Sequence, residues 1–192
     1  SFRSNPLRLA EFTLSRKDPA YVPNAKAVKA LDEERRAGAL PAEIARVYDD
    51  LKKLGYTPDA ANTNIGSAIF ANKPGDGSAR EQAASCQRVL GGCANICYEF
   101  ATKRYRSNCV NWGMLPFTLA EGDEFNAVPG DFIYVPDVKA KVIAGDDTFP
   151  ALCVGEKGVT PITLYLKNTT GEERELLLTG CLMNHYAAQN KA

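Results

Sequence analysis

Along the first third of the chain, apolar positions recur at helical spacing. Ala27, Val28, Ala30 and Leu31 follow Asn24, a residue suited to capping a helix, and the pattern stops at Gly38. A second helix is predicted to open at Pro41, since a proline's missing N–H costs nothing in the first turn. It sets Ile44, Val47, Tyr48, Leu51 and Leu54 on one stripe and ends at Gly55. Glu43, Arg46, Asp49, Asp50, Lys52 and Lys53 take the other face, so the stripe has a surface to cover elsewhere. Pro6, Pro19 and Pro23 make the segment before Asn24 a linker or wrapping arm. After Tyr56-Thr57-Pro58 the pattern changes to short strands. They are expected at 65–70, 93–98 and 114–119, where Pro116 implies an edge or an end, and at 131–135 and 139–143. Segments 162–166 and 173–178 flank Asn168-Thr169-Thr170-Gly171, a hairpin signal. A helix over 79–90 between the first two strands implies a parallel crossover, and the later strands look antiparallel. The expectation is an α/β fold with a mixed sheet. A helical arm over 1–60 packs on a domain over 61–192.

With 192 residues, the chain has length for one good-sized domain or one domain with an appendage. Lys plus Arg and Asp plus Glu are both 23, so there is no cationic surplus of the kind that binds polyanions. No run approaches the roughly 18–20 apolar residues of a membrane span, and 45% hydrophobic with 24% charged residues argues for a folded chain. The start, Ser1-Phe2-Arg3-Ser4-Asn5-Pro6, shows neither an initiator Met nor a signal-peptide core, and a piece of a longer cytoplasmic protein is expected. The six cysteines, Cys86, Cys93, Cys97, Cys109, Cys153 and Cys181, are too sparse for a disulfide scaffold and contain no CxxC, so reduced, buried thiols are expected and no metal site.

One stretch has chemical content. In Gly75-Asp76-Gly77-Ser78-Ala79-Arg80-Glu81-Gln82, Ser78 and Glu81 form a capping box, and the glycines let backbone approach a ligand closely. A helix start carries unpaired amides and partial positive charge, a seat for carboxylate or phosphate. Arg80 adds a planar fork able to grip a carboxylate through two bonds. A capping box alone asks for no more than a helix start, and Arg80 could equally be a solvated side chain. Neither a phosphate-loop lysine nor a third glycine follows.

The order of motifs over residues 66–119 is informative. Gly66-Ser-Ala-Ile-Phe-Ala-Asn-Lys-Pro-Gly-Asp-Gly-Ser-Ala-Arg-Glu-Gln82 is followed by Leu90-Gly91-Gly92 and Phe100-Ala101. Then comes Arg106-Ser-Asn-Cys-Val-Asn-Trp-Gly-Met-Leu-Pro116. This succession resembles the C-terminal swivel domain of the aconitase and isopropylmalate isomerase family, whose strand is followed by a GSSREH turn and a helix ending in a glycine pair. The resemblance implies a three-layer β/β/α swivel domain that closes over a cluster-binding body. It implies an iron–sulfur hydro-lyase acting on a di- or tricarboxylic hydroxy acid. By position, Ser78 would be the base, as an alkoxide, and Arg80 the substrate-carboxylate clamp, with Gly77 and Ala79 lining the same turn.

Two positions depart from that pattern. Ala79 stands in place of the family's second serine and Gln82 in place of its histidine, which bears on which acid is accepted. Phe2-Arg3 is a loose match to a further substrate arginine. His185, the sole histidine, lies outside the motifs, and Asn108 and Asn111 are better suited to holding backbone groups than substrate. No Cys…CxxC pattern is present. The resemblance therefore implies a 4Fe–4S cluster and the leaving-group acid on other domains or a large subunit, with the isolated chain inactive. The departures keep a second reading open, a non-catalytic binding or regulatory module taking anions or RNA.

Overall fold

The structure, a computed structural model, describes residues 21–58, 63–71, 87–128 and 130–182. Helix α1 spans Tyr21–Arg36, opening three residues before Asn24 because Pro23 is tolerated in a first turn. Helix α2 spans Ala42–Lys52 directly after Pro41, as its spacing predicts. It buries Ile44, Val47, Tyr48 and Leu51, whereas Leu54 lies past its last turn and is exposed.

Six strands form one mixed sheet in the order β1-β2-β3-β6-β5-β4. β1 (Ser67–Ala71), β2 (Gly92–Cys97) and β3 (Leu115–Thr118) run parallel. β6 (Gly158–Tyr165), β5 (Thr148–Gly155) and β4 (Phe132–Tyr134) are antiparallel to their neighbours. The α/β expectation and the mixed sheet hold. Pro116 is not on an edge strand, but β3 meets β6 only at Thr118–Tyr165, so its missing N–H falls where that ladder has opened. The hairpin is at Gly155–Gly158, with Glu156-Lys157 as its tip, rather than at 168–171.

Two segments expected as strands are helices. Residues 139–143 lie in α4 (Val138–Ala144), because apolar positions four apart turn Val138 and Val142 to the core while Lys139 and Ala140 face solvent. Residues 173–178 lie in α5 (Gly171–Thr179). There Thr170 Oγ1 accepts from the Glu173 N–H at 3.1 Å and the Glu173 carboxylate accepts from the Thr170 N–H at 3.1 Å, a capping box that starts a helix. A helix not anticipated, α3 (Lys103–Asn111), is capped by Thr102, whose hydroxyl accepts from the Tyr105 N–H at 3.1 Å.

Helices α3, α4 and α5 cover one sheet face. Val110, Val142 and Leu177 pack with Ile96, Phe117, Phe149 and Leu164. Alternate residues of β5 serve the other face, where Leu152 and Val154 meet Val47 and Leu51 of α2. α2 thus packs directly on the antiparallel half of the sheet.

Candidate functional site

Ser78, Arg80, Gly77, Ala79, Gln82, Arg3, His185 and Cys86 lie outside the described residues. What is described is the frame on either side of the Ser78 turn. β1 ends at Ala71, which pairs with Cys97, and Cys97 pairs with Thr118. The carboxyl ends of three parallel strands therefore stand side by side, where open α/β sheets present ligand sites. Phe70, Tyr98 and Phe125 cluster beside that edge, Phe70 with its ring 4.6 Å from Phe125 and 6.1 Å from Tyr98.

The Gly91-Gly92 pair acts through shape. Gly91 has φ +89°, which admits the turn into β2, and a Cβ on Gly92 would fall 2.8 Å from the Gln87 carbonyl oxygen. Gln87 is itself buried and donates through Nε2 to the Ala94 carbonyl at 3.1 Å, closing helical residues 87–89 onto β2. Gly113, at φ +75°, similarly leaves room for Gly180, whose Cα would be 2.5 Å from any Cβ there.

The opposite, amino-terminal edge of β1 and β2 holds a cavity of about 350 Å³. An ion-pair network forms one wall. Asp32 Oδ1 accepts from Arg35 Nε at 2.9 Å and from the Ile65 N–H at 3.0 Å, while Oδ2 pairs with Arg36 at 2.9 Å. Arg35 also donates to Asn64 Oδ1 at 3.3 Å, and Asn64 donates through Nδ2 to the Cys181 carbonyl at 2.8 Å. This network fastens α1 to the lead-in of β1 and the end of α5. Lys29 donates to the Val89 carbonyl at 3.3 Å. Arg88 lines the cavity with no hydrogen bond or ion pair among the described residues.

The described cysteines are free and chemically unlike. Burial pushes the Cys97 thiol up to about 12 and the Cys109 thiol up to about 11. Cys153 is also raised by burial, with Asp131 adding to it. Cys93, on the cavity wall, is lowered by a hydrogen bond from Cys181, helped by Arg88 and Arg36 against the opposing effects of burial and Asp32. Cys181 is raised by the same bond and by burial. Uniformly inert thiols were expected, and Cys93 departs from that. Its partner is distant in the chain, so no spacing signal could have found the pair.

Two other arginines are committed to structure. Arg106 of α3 pairs with Glu173 at 2.9 Å and donates to the Lys167 carbonyl at 3.0 Å. Buried Arg174 donates to the carbonyls of Val142 at 3.1 Å and Asp146 at 2.9 Å. Among the described residues, no three His, Cys, Asp or Glu side chains converge as metal donors, so these residues do not fit a cluster. Nor is any described helix long and apolar enough to cross a membrane.

Residues 56–122 match the family model described as the aconitase C-terminal domain. This part of the chain belongs to the aconitase family. The match covers β1, β2, α3 and β3, the parallel half of the sheet, and it spans the Ser78 turn. Helices α1 and α2 and the strands β4, β5 and β6 lie beyond the matched residues. No curated protein matches the chain. The two glycine contacts that close the parallel half, Gly92 on Gln87 and Gly113 on Gly180, involve aconitase-family motif positions named from the sequence.

Proposed function

We propose that this chain supplies the closing domain of an aconitase-like hydro-lyase that dehydrates and rehydrates a di- or tricarboxylic hydroxy acid. The observation that carries the reading is the aconitase C-terminal match over residues 56–122, because it encloses Gly77-Ser78-Ala79-Arg80 in family order. The side-by-side carboxyl ends of β1, β2 and β3 support it, since the chain enters the turn from Ala71 at that edge. In this reading Ser78, as alkoxide, removes the proton alpha to a carboxylate, and Arg80 holds a carboxylate through two bonds. A serine alkoxide is far too basic to persist in water, so the step needs helix-start amides, nearby cations and a site closed to solvent. Ala79 removes one hydroxyl that would donate to substrate, a bond worth about 0.5–1.5 kcal/mol net, which alters preference among acids more readily than it abolishes turnover.

The 4Fe–4S cluster and the leaving-group acid belong, in this proposal, to other domains of the same protein or to a large subunit, and this chain's own part is proton removal and carboxylate binding. The test uses the assembled, cluster-loaded protein. Ser78→Ala is expected to lower turnover by at least ~100-fold, the scale of a lost general base, with an unchanged melting curve. Normal turnover by that variant would refute the assignment. The departures at Ala79 and Gln82 favour a second reading, a non-catalytic anion- or RNA-binding module. Titration with citrate-like acids and with RNA separates them, because salt-sensitive RNA binding without acid binding supports only the second.

A further inference from the structure

We propose that Cys93 and Cys181 form a peroxide-oxidisable thiol pair, in which a hydroperoxide oxidises Cys93 and Cys181 resolves the product into a disulfide. Both residues line the 350 Å³ cavity at the amino-terminal edge of β1 and β2. Each is held in place by its surroundings. The Cys93 sulfur lies against Gly66, occupying space that any Cβ there would need. The Cys181 backbone is anchored on two sides, its N–H donating to the Gly113 carbonyl at 3.1 Å and its carbonyl accepting from Asn64 at 2.8 Å. Its sulfur sits 3.4 Å from the Gly92 carbonyl oxygen, one residue from Cys93. Cys93 packs against the cluster that holds Cys181, and the Cys181 thiol donates to the carbonyl of Gly92, the residue before Cys93, so little motion separates contact from bond formation.

Charge around the pair favours the reactive form on one member only. The groups facing the cavity are Lys29, Asp32, Glu33, Arg36 and Arg88. Asp32 is already paired with Arg35 and Arg36, which mutes its repulsion of a thiolate. Arg88 has no other partner among the described residues. The neighbouring Cys181 thiol, Arg88 and Arg36 together lower Cys93, while Cys181 is raised and keeps its proton. Elsewhere, Cys97 and Cys109 are fully buried, and Cys153 faces the Asp131 carboxylate at 3.9 Å.

The chemistry balances with the peroxide as sole oxidant. The Cys93 thiolate attacks one peroxide oxygen, an S–O bond forms, the O–O bond breaks, and hydroxide leaves as water after taking a proton. The Cys181 sulfur then attacks the sulfenic sulfur, its proton leaves with the departing hydroxyl as a second water, and the S–S bond forms. The resulting bridge would tie the start of β2 to the residue that follows Gly180. From Cys93 to the end of β2 at Cys97 is about 13 Å at strand spacing, so the pair stands at the opposite edge from the carboxyl ends of the parallel strands.

The experiment treats the reduced full chain with hydrogen peroxide, blocks the remaining thiols, and maps peptides by mass spectrometry without reduction. The expected first product is a Cys93–Cys181 cross-linked peptide, with Cys93 consumed about ten-fold faster than Cys153. Cys181→Ser should stall the reaction at the Cys93 sulfenic acid, trapped by dimedone, and Cys93→Ser should leave Cys181 reduced. A bridge from Cys93 to Cys86, or Cys153 oxidised as fast as Cys93, would overturn the proposal. Should either serine variant fail to fold, the peptide map of the unmutated chain decides alone.

Discussion

Cys97 and Cys109 are both raised by burial, Cys97 further by the neighbouring Cys109. Asn95, buried beside them, donates through Nδ2 to the Cys109 sulfur at 3.0 Å. Their effect on stability has a definite sign. As pH rises past the ordinary thiol value of 9.0, the unfolded chain loses these protons while the folded chain keeps them up to about 11. The unfolded state then binds fewer protons, so stability falls with pH, by at most about 1.4 kcal/mol per pH unit for each thiol. Cys93 behaves oppositely, because its folded value is depressed. Its contribution is present at alkaline pH and is lost as pH falls through that lowered value. In the upper part of the window between 9.0 and about 11 it is ionised in both states and adds no slope. Cys109→Ser is therefore expected to melt with a shallower alkaline decline than the parent in urea titrations across that window. An identical decline would mean that Cys109 ionises as readily folded as unfolded.

Helix α5 shows how one local signal outweighs another. The run Glu173 to Leu178 suggests a strand by composition, but Thr170 and Glu173 close both bonds of a capping box and commit the segment to a helix. Thr170→Ala removes the acceptor for an orphan N–H and is expected to cost about 1 kcal/mol, measured as a shift in the urea midpoint. Thr170→Ser, which keeps the hydroxyl, should stay near the parent, and equal losses from both substitutions would assign the effect to packing instead. The same pattern reads as a capping box at Ser78, which lies outside the described residues, but at Thr170 it was passed over for a hairpin. The parallel β1–β2 pair was legible because glycines and a helical period separate two apolar runs. β5 was not, because it is buried on both faces and Phe149 to Val154 lacks the in–out alternation that marks a one-sided strand. α4 was missed because seven residues give barely two repeats of its period. The Cys93–Cys181 contact was beyond any sequence pattern, since the start of β2 and the residue after the α5 terminus meet only in the folded chain.

At the scale of the molecule, the aconitase match and the hydrophobic core divide the chain differently. The match stops at residue 122 and leaves out α2 and the antiparallel strands. Yet Leu51 of α2, fully buried, shares a cluster with Leu152, Val154, Phe132, Tyr134 and Val159, and Tyr56 stacks edge-on against Tyr134 at 6.0 Å. β5 and β6 in turn continue through Tyr165–Thr118 into β3 and the parallel half. The cluster under α2 is thus joined through one continuous sheet to the parallel half, and α2 should unfold with the domain. Leu51→Ala opens a cavity in this cluster and is expected to cost about 2–5 kcal/mol. Trp112, the single tryptophan, sits at the far end of α3 and reports the opposite half of the sheet. Its fluorescence midpoint in urea should fall together with the helical circular dichroism signal. If the helical signal fell early while the Trp112 transition stayed in place, α2 would be a separately folding appendage, and a boundary near residue 60 would be thermodynamic as well as topological.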